Sequence, residues 1–145
     1  MPGVSSVVRP NLVLEKVVFI RDHLERVKAK KDVTLEEFLA DRDSQDIVCF
    51  NLVQAIQGCA DLASHIVSDE GWGIPNSYND AIDILSKHNI FTSQQRETYK
   101  KMFGFRNHIV HQYAKIDAVE VYRVMTERLD DLDEFIACVV AYFHP

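Results

Sequence analysis

The chain has 145 residues, enough to bury one substantial core but not two, and its 47% hydrophobic, 10% aromatic and 26% charged residues fit a soluble globular protein with few loops, given only five Gly and four Pro. A net charge of −6 argues against a general nucleic-acid coat, which carries excess positive charge. The longest uninterrupted apolar run, residues 135 to 143, is nine residues long where a membrane helix needs about 20, and no secretion signal opens the chain, so no membrane association and a cytoplasmic location are expected.

Residues 1 to 10 carry Pro2, Gly3, Ser5, Ser6 and Pro10 without a period and read as a loose lead-in. Val13, Val17, Ile20, Leu24 and Val27 then step by four and three, the pattern of an amphipathic helix, which closes on the basic cluster Lys28 to Lys31. Thr34-Leu35-Glu36-Glu37 is a capping box that restarts helix. The next helix is the longest: Val48, Leu52, Ala55, Cys59, Leu62 and Ile66 form one apolar stripe and Val53, Ile56, Ala60, Ala63 and Val67 a second beside it. It is the centre of a bundle, or it faces both a core and a partner subunit.

Residues 68 to 76, with Gly71, Gly73 and Pro75, form a long loop, in which Trp72 reads as an anchor on the bundle surface in preference to a stacking platform for a base. Ser77 caps a short helix to about His88, and Thr92-Ser93-Gln94-Gln95 caps the next. Asp117 opens a last helix with the stripe Tyr122, Met125, Leu129, Leu132, Ile136, Val139 and Phe143. Its acids Asp130, Asp131, Asp133 and Glu134 read as a solvated face and not a metal site. No strand alternation or Gly-rich phosphate loop occurs, so the fold class is all-α, an antiparallel helical bundle formed as a single domain. Cys49, Cys59 and Cys138 lie in apolar helical patterns without CxxC spacing and read as small core residues, with neither disulfides nor zinc.

The chemistry gathers in residues 103 to 113, Phe-Gly-Phe-Arg-Asn-His-Ile-Val-His-Gln-Tyr. Residues 96 to 115 hold five basic residues (Arg96, Lys100, Lys101, Arg106, Lys115) against Glu97, a local +4 that leaves −10 on the remainder. That stretch either draws a phosphate-bearing ligand or balances acidic neighbours at a helix end. Asn107 and His111, four apart, share a helix face. Arg106 and His111, five apart, lie roughly 140° around the axis and meet within one chain only if the Arg curls round. Gly104 lets another backbone or a ligand approach closely. Imidazole titrates near neutral pH, so His111 suits a general acid or base, and Arg106 suits bidentate phosphate contact. Together these describe RNA cleavage without metal or cofactor, by attack of the ribose 2′-hydroxyl on the adjacent phosphorus. On residue types alone, structural hydrogen bonds of Arg106 and His111 at a helix end are the preferred reading, and it is the resemblance given next that tips the balance to a site. His108 and His111 have chelating spacing but no third ligand beside them.

Arg106, His111 and Tyr113 form an Arg-x4-His-x-Tyr arrangement that resembles the motif of the HEPN superfamily, specifically its HepT-like toxins. Ser44-Gln45-Asp46, residues 55 to 65, residues 73 to 78, residues 101 to 107 and residues 122 to 134 are similar to that family as well, so the likeness covers nearly the whole chain. It implies a ribonuclease toxin of a type VII toxin–antitoxin pair with Arg106, His111 and Asn107 catalytic. It also implies a homodimer that brings two motifs into one cleft, which would let Arg106 of one copy meet His111 of the other. The family pairs with a minimal nucleotidyltransferase antitoxin, MntA-like, that transfers AMP from ATP to the motif tyrosine, here Tyr113. Lys100, Lys101, His108 and Lys115 are the candidate contacts to the RNA substrate. A non-catalytic helical partner that docks a nucleotidyltransferase and presents RNA or nucleotide to it stands as the alternative.

Overall fold

The computed structural model describes residues 10–143; the expected lead-in lies outside that range except for Pro10, which already opens the first helix, a position where its missing N–H costs nothing. The order is α1 (Pro10–Lys28), α2 (Leu35–Leu39), α3 (Arg42–Asp69), α4 (Tyr78–Lys87), α5 (Ser93–Gln112), a 3₁₀ turn (Tyr113–Lys115), α6 (Ala118–Glu127) and α7 (Leu129–Phe143). The described residues hold no strand. The chain is therefore an all-α bundle, as the periodicities require.

Helix α3 is its axis, packed most extensively on α1, then on α4 and α5, and touching α2, α6 and α7. Both of its apolar stripes turn inward, and only Val53 among them is partly exposed. By length and composition alone α3 could cross a membrane, with a mean hydropathy of 1.3 over its most apolar stretch, yet 61% of that stretch is buried inside the protein. Most of its apolar surface is covered by neighbouring helices, with Ile47 and Phe50 near its start left exposed. The α1 stripe Val13, Val17, Ile20, Leu24 and Val27 is buried throughout. A Cβ built on Gly58 of α3 would stand 2.7 Å from Ile20 Cγ1 and 3.2 Å from Phe19 Cδ1, so this glycine sets how closely α1 approaches. Gly58→Val should destabilise the fold by about 1–3 kcal/mol through overpacking, read as a melting temperature lowered by several degrees. An unchanged melting temperature would mean the two helices do not meet there.

The predicted boundaries hold where caps specify them. Thr34 and Glu37 form the reciprocal capping box of α2, Asp41 caps α3, Ser77 caps α4 and Asp117 caps α6. Trp72 is an anchor: its ring stacks on His88 at 3.6 Å and meets Tyr142 edge-on. His88 in turn is the C-cap residue of α4.

Three expectations need correction. The last helix is not continuous. It breaks at Arg128 (φ −122°, ψ 3°), where the Arg128 guanidinium pairs with Asp131 at 2.9 Å. The apolar stripe passes unbroken through this bend because both halves bury the same side, α6 against α2 and α3 and α7 against α3. The acids of α7 are not simply solvated either: Asp133 pairs with Lys28 at 3.2 Å and Glu134 accepts from the buried Tyr99 hydroxyl at 3.0 Å. His23, with no motif around it, is expected to be a surface or capping residue; it instead hydrogen-bonds the buried Asn51 amide oxygen at 2.7 Å through Nδ1, satisfying a polar group that would otherwise be costly inside the bundle.

Candidate active site

The motif rides on the C-terminal half of α5, and that helix is fixed at both ends of its length. At its start Thr92 and Gln95 form a second capping box, with backbone-to-side-chain bonds of 3.1 and 2.9 Å. Thr92→Ala should cost about 1 kcal/mol, measurable by thermal or denaturant unfolding; no change would mean that tertiary packing alone sets this helix start. Further along, Tyr99, Phe103 and Ile109 are buried, and Tyr99 closes an aromatic cluster with Phe91 and Phe135, ring centroids 4.8 and 5.2 Å away.

Arg106 falls on the same inward side of α5, between Phe103 and Ile109, and is only partly exposed. Its Nη1 donates to Asn107 Oδ1 at 2.9 Å, while its Nε is buried without a hydrogen-bond partner among the described residues. Leaving a buried donor unmade costs about 1–3 kcal/mol, so this guanidinium is incompletely satisfied. His111 is exposed, one turn beyond Asn107 on the outer face, and makes no hydrogen bond or ion pair among the described residues. Helix α5 runs unbroken through Gln112, which keeps Arg106 and His111 on different sides of it. Within one copy, Arg106 turns toward Asn107 and not toward His111.

The candidate RNA contacts divide. Lys100 Nζ lies 2.6 Å from Asp83 Oδ1, and Arg96 reaches Asp83 and Glu97 at 3.9 and 3.2 Å, so part of the local +4 is neutralised by α4. Lys100 nonetheless joins Gly104, Asn107, Tyr78 and Asn76 in lining a hollow of about 480 Å³. Gly104 forms part of its wall, and a Cβ there would meet nothing within 4 Å. His108 and Lys115 are exposed, and Lys101 is exposed as well but lines a different hollow, with Phe105, Glu120 and Arg123.

Tyr113 opens the 3₁₀ turn that ends α5 and is 40% exposed. Its hydroxyl donates to Asp46 Oδ1 on α3. Burial, and then this hydrogen bond, push the phenol from its ordinary 10.0 up to about 12. A raised phenol pKa contributes stability that is fully present below about pH 10 and is lost as pH rises through about 12. Asp46 also lies 3.5 Å from the Arg42 guanidinium, so one carboxylate links the start of α3 to the motif tyrosine. Ser44-Gln45-Asp46 stands out in the sequence only as part of a resemblance. Nothing in its spacing pairs it with a residue 67 positions away.

The sequence profile of the family described as Ribonuclease HepT-like matches residues 20–139, and the chain belongs to the HepT-like ribonuclease family. It is 30% identical over 131 residues to the mRNA nuclease HepT of Shewanella oneidensis, covering 90% of this chain and 98% of that protein. It is 24% identical over 136 residues to the tRNA nuclease HepT of Aphanizomenon flos-aquae, covering 93% and 92%. Among solved structures it superposes on the tri-AMPylated HEPN toxin of Shewanella oneidensis, determined in complex with its MNT antitoxin, with a TM-score of 0.84 and 29% identity over 92% of this chain and 99% of that one.

Proposed function

We propose that this chain, acting as one domain in the cytoplasm, is the ribonuclease toxin of a toxin–antitoxin pair and is neutralised by adenylylation of Tyr113 by a minimal nucleotidyltransferase. One observation carries the cleavage reading. Of the three partly buried cations on α5, Arg96 and Lys100 are paired with carboxylates, whereas Arg106 meets no carboxylate among the described residues and donates instead to the Asn107 amide oxygen. A phosphate is the group that would satisfy it, through the planar fork of the guanidinium. Likeness to proteins named as nucleases of mRNA and of tRNA supports the same conclusion.

In the reaction, a neutral His111 takes the proton of the ribose 2′-hydroxyl as that oxygen bonds to phosphorus. The bond from phosphorus to the 5′-oxygen breaks, and that oxygen takes a proton from a second imidazole. The products are a 2′,3′-cyclic phosphate and a 5′-hydroxyl. Arg106 stabilises the charge on the phosphoryl oxygens, and Asn107 orients the guanidinium. One chain supplies only one His111 and holds it off the Arg106 side of α5. A two-fold dimer answers both shortages, since His111 of the second copy can serve as the acid. Lys100, His108 and Lys115 flank the path of the RNA strand.

The test is incubation of the purified chain with RNA in the presence of chelator. The expected result is cleavage leaving cyclic phosphate ends. Tight binding without cleavage would overturn the enzymatic reading and favour a helical module that presents RNA to a partner.

A further inference from the structure

Among the described residues, Tyr113 is the one member of the motif whose side chain bonds to a distant helix. Its hydroxyl donates to Asp46 Oδ1, and the same carboxylate is flanked by the Arg42 guanidinium at 3.5 Å. Asp46, Arg42 and Tyr113 line one small hollow of about 100 Å³ together with Ala114 and Gln45. On the other side of the ring, Phe50, Val53 and Val110 line an apolar hollow. The phenol is thus held between two helices with its oxygen against a carboxylate and part of its ring open to solvent.

We infer that Asp46 is the general base that positions the Tyr113 hydroxyl for adenylyl transfer and receives its proton. This rests on the neutralisation reading above. The phenol oxygen bonds to the α-phosphorus of ATP, the bond from that phosphorus to the bridging oxygen of the β-phosphate breaks, pyrophosphate leaves, and the phenolic proton passes to Asp46 and then to solvent. A phenol held well above its ordinary range is almost wholly protonated at neutral pH and needs such an acceptor. A carboxylate suffices because in phosphoryl-type transfer the proton moves late, once the attacking oxygen has begun to bond to phosphorus and has become acidic. Arg42, 3.5 Å from the same carboxylate, holds it in place beside the ring. The machinery for receiving the modification is therefore partly built into the modified chain.

The experiment compares the unaltered chain with Asp46→Asn and Asp46→Glu, each incubated with a minimal nucleotidyltransferase of the MntA type and with ATP, and follows adenylate on Tyr113 by intact mass and peptide mapping across pH. Asn keeps the shape and can still accept the hydroxyl hydrogen bond, but it cannot take the proton. Asp46→Asn should be modified at least about 100-fold more slowly near neutrality, with a rate that climbs as pH rises toward the phenol's own ionisation. Asp46→Glu should recover much of the rate, and all three should cleave RNA alike before modification. Modification of Asp46→Asn at the unaltered rate would overturn the role, as would equal slowing of the Asn and Glu variants with no change in pH profile, which marks a merely structural tie. Absence of adenylate on the unaltered chain would overturn the neutralisation reading itself, and this role with it.

Discussion

Replacing His111 or Arg106 by Ala is expected to lower RNA cleavage by about 10²–10⁴-fold while leaving the protein folded. The histidine is exposed and makes no bond among the described residues, so its removal should shift stability by less than about 0.5 kcal/mol. Any loss of activity then belongs to chemistry. Arg106→Ala also removes a half-buried stem, a modest packing loss, but it relieves an unpartnered buried N–H at the same time. Arg106→Lys separates charge from geometry: lysine keeps the positive charge but not the planar fork, and should recover little activity. Cleavage assays beside melting curves check all three. Full activity in His111→Ala, with a normal melting curve, would remove the imidazole from the mechanism.

The second large effect concerns the tyrosine. Tyr113→Phe should take up no adenylate at position 113, and its cleavage of RNA should be the same with or without prior incubation with nucleotidyltransferase and ATP. The unaltered chain should lose nearly all cleavage after the same treatment. The cause is electrostatic and steric. Adenylate adds negative charge and bulk at the end of the helix that carries Arg106 and His111, where the RNA phosphate must sit. It also removes the proton through which Tyr113 donates to Asp46, freeing the 3₁₀ turn from α3. If Tyr113→Phe is still silenced by the treatment, the switch lies on another residue.

What could be read in the sequence was local. The caps at Thr34 and Thr92 lie three residues from their partners, and the α1 and α3 stripes follow from helical period alone. The bend at Arg128 could not be read, because Met125 and Leu129 keep the apolar step across it and neither Gly nor Pro marks it. Nor could the acids of α7 be sorted into free and paired, since Tyr99 lies 35 and Lys28 105 positions from its acidic partner. The motif residues were legible as types and spacing, and their roles came from a resemblance. What the spacing could not disclose was that Lys100 is answered by Asp83 while Arg106, among the described residues, is answered by no carboxylate. Asp46 was hidden for the same reason as the α7 acids: only the packing of α3 on α5 brings it to Tyr113.

One motif is expected both to cut RNA and to carry its own off switch. The most direct test takes one purified preparation, records its RNA cleavage in chelator, treats it with nucleotidyltransferase and ATP, and repeats the cleavage assay on the same material with its intact mass in hand. The prediction is that cleavage falls in proportion to the fraction of chains carrying adenylate on Tyr113. Fully adenylylated protein that cleaves RNA as fast as before would contradict it.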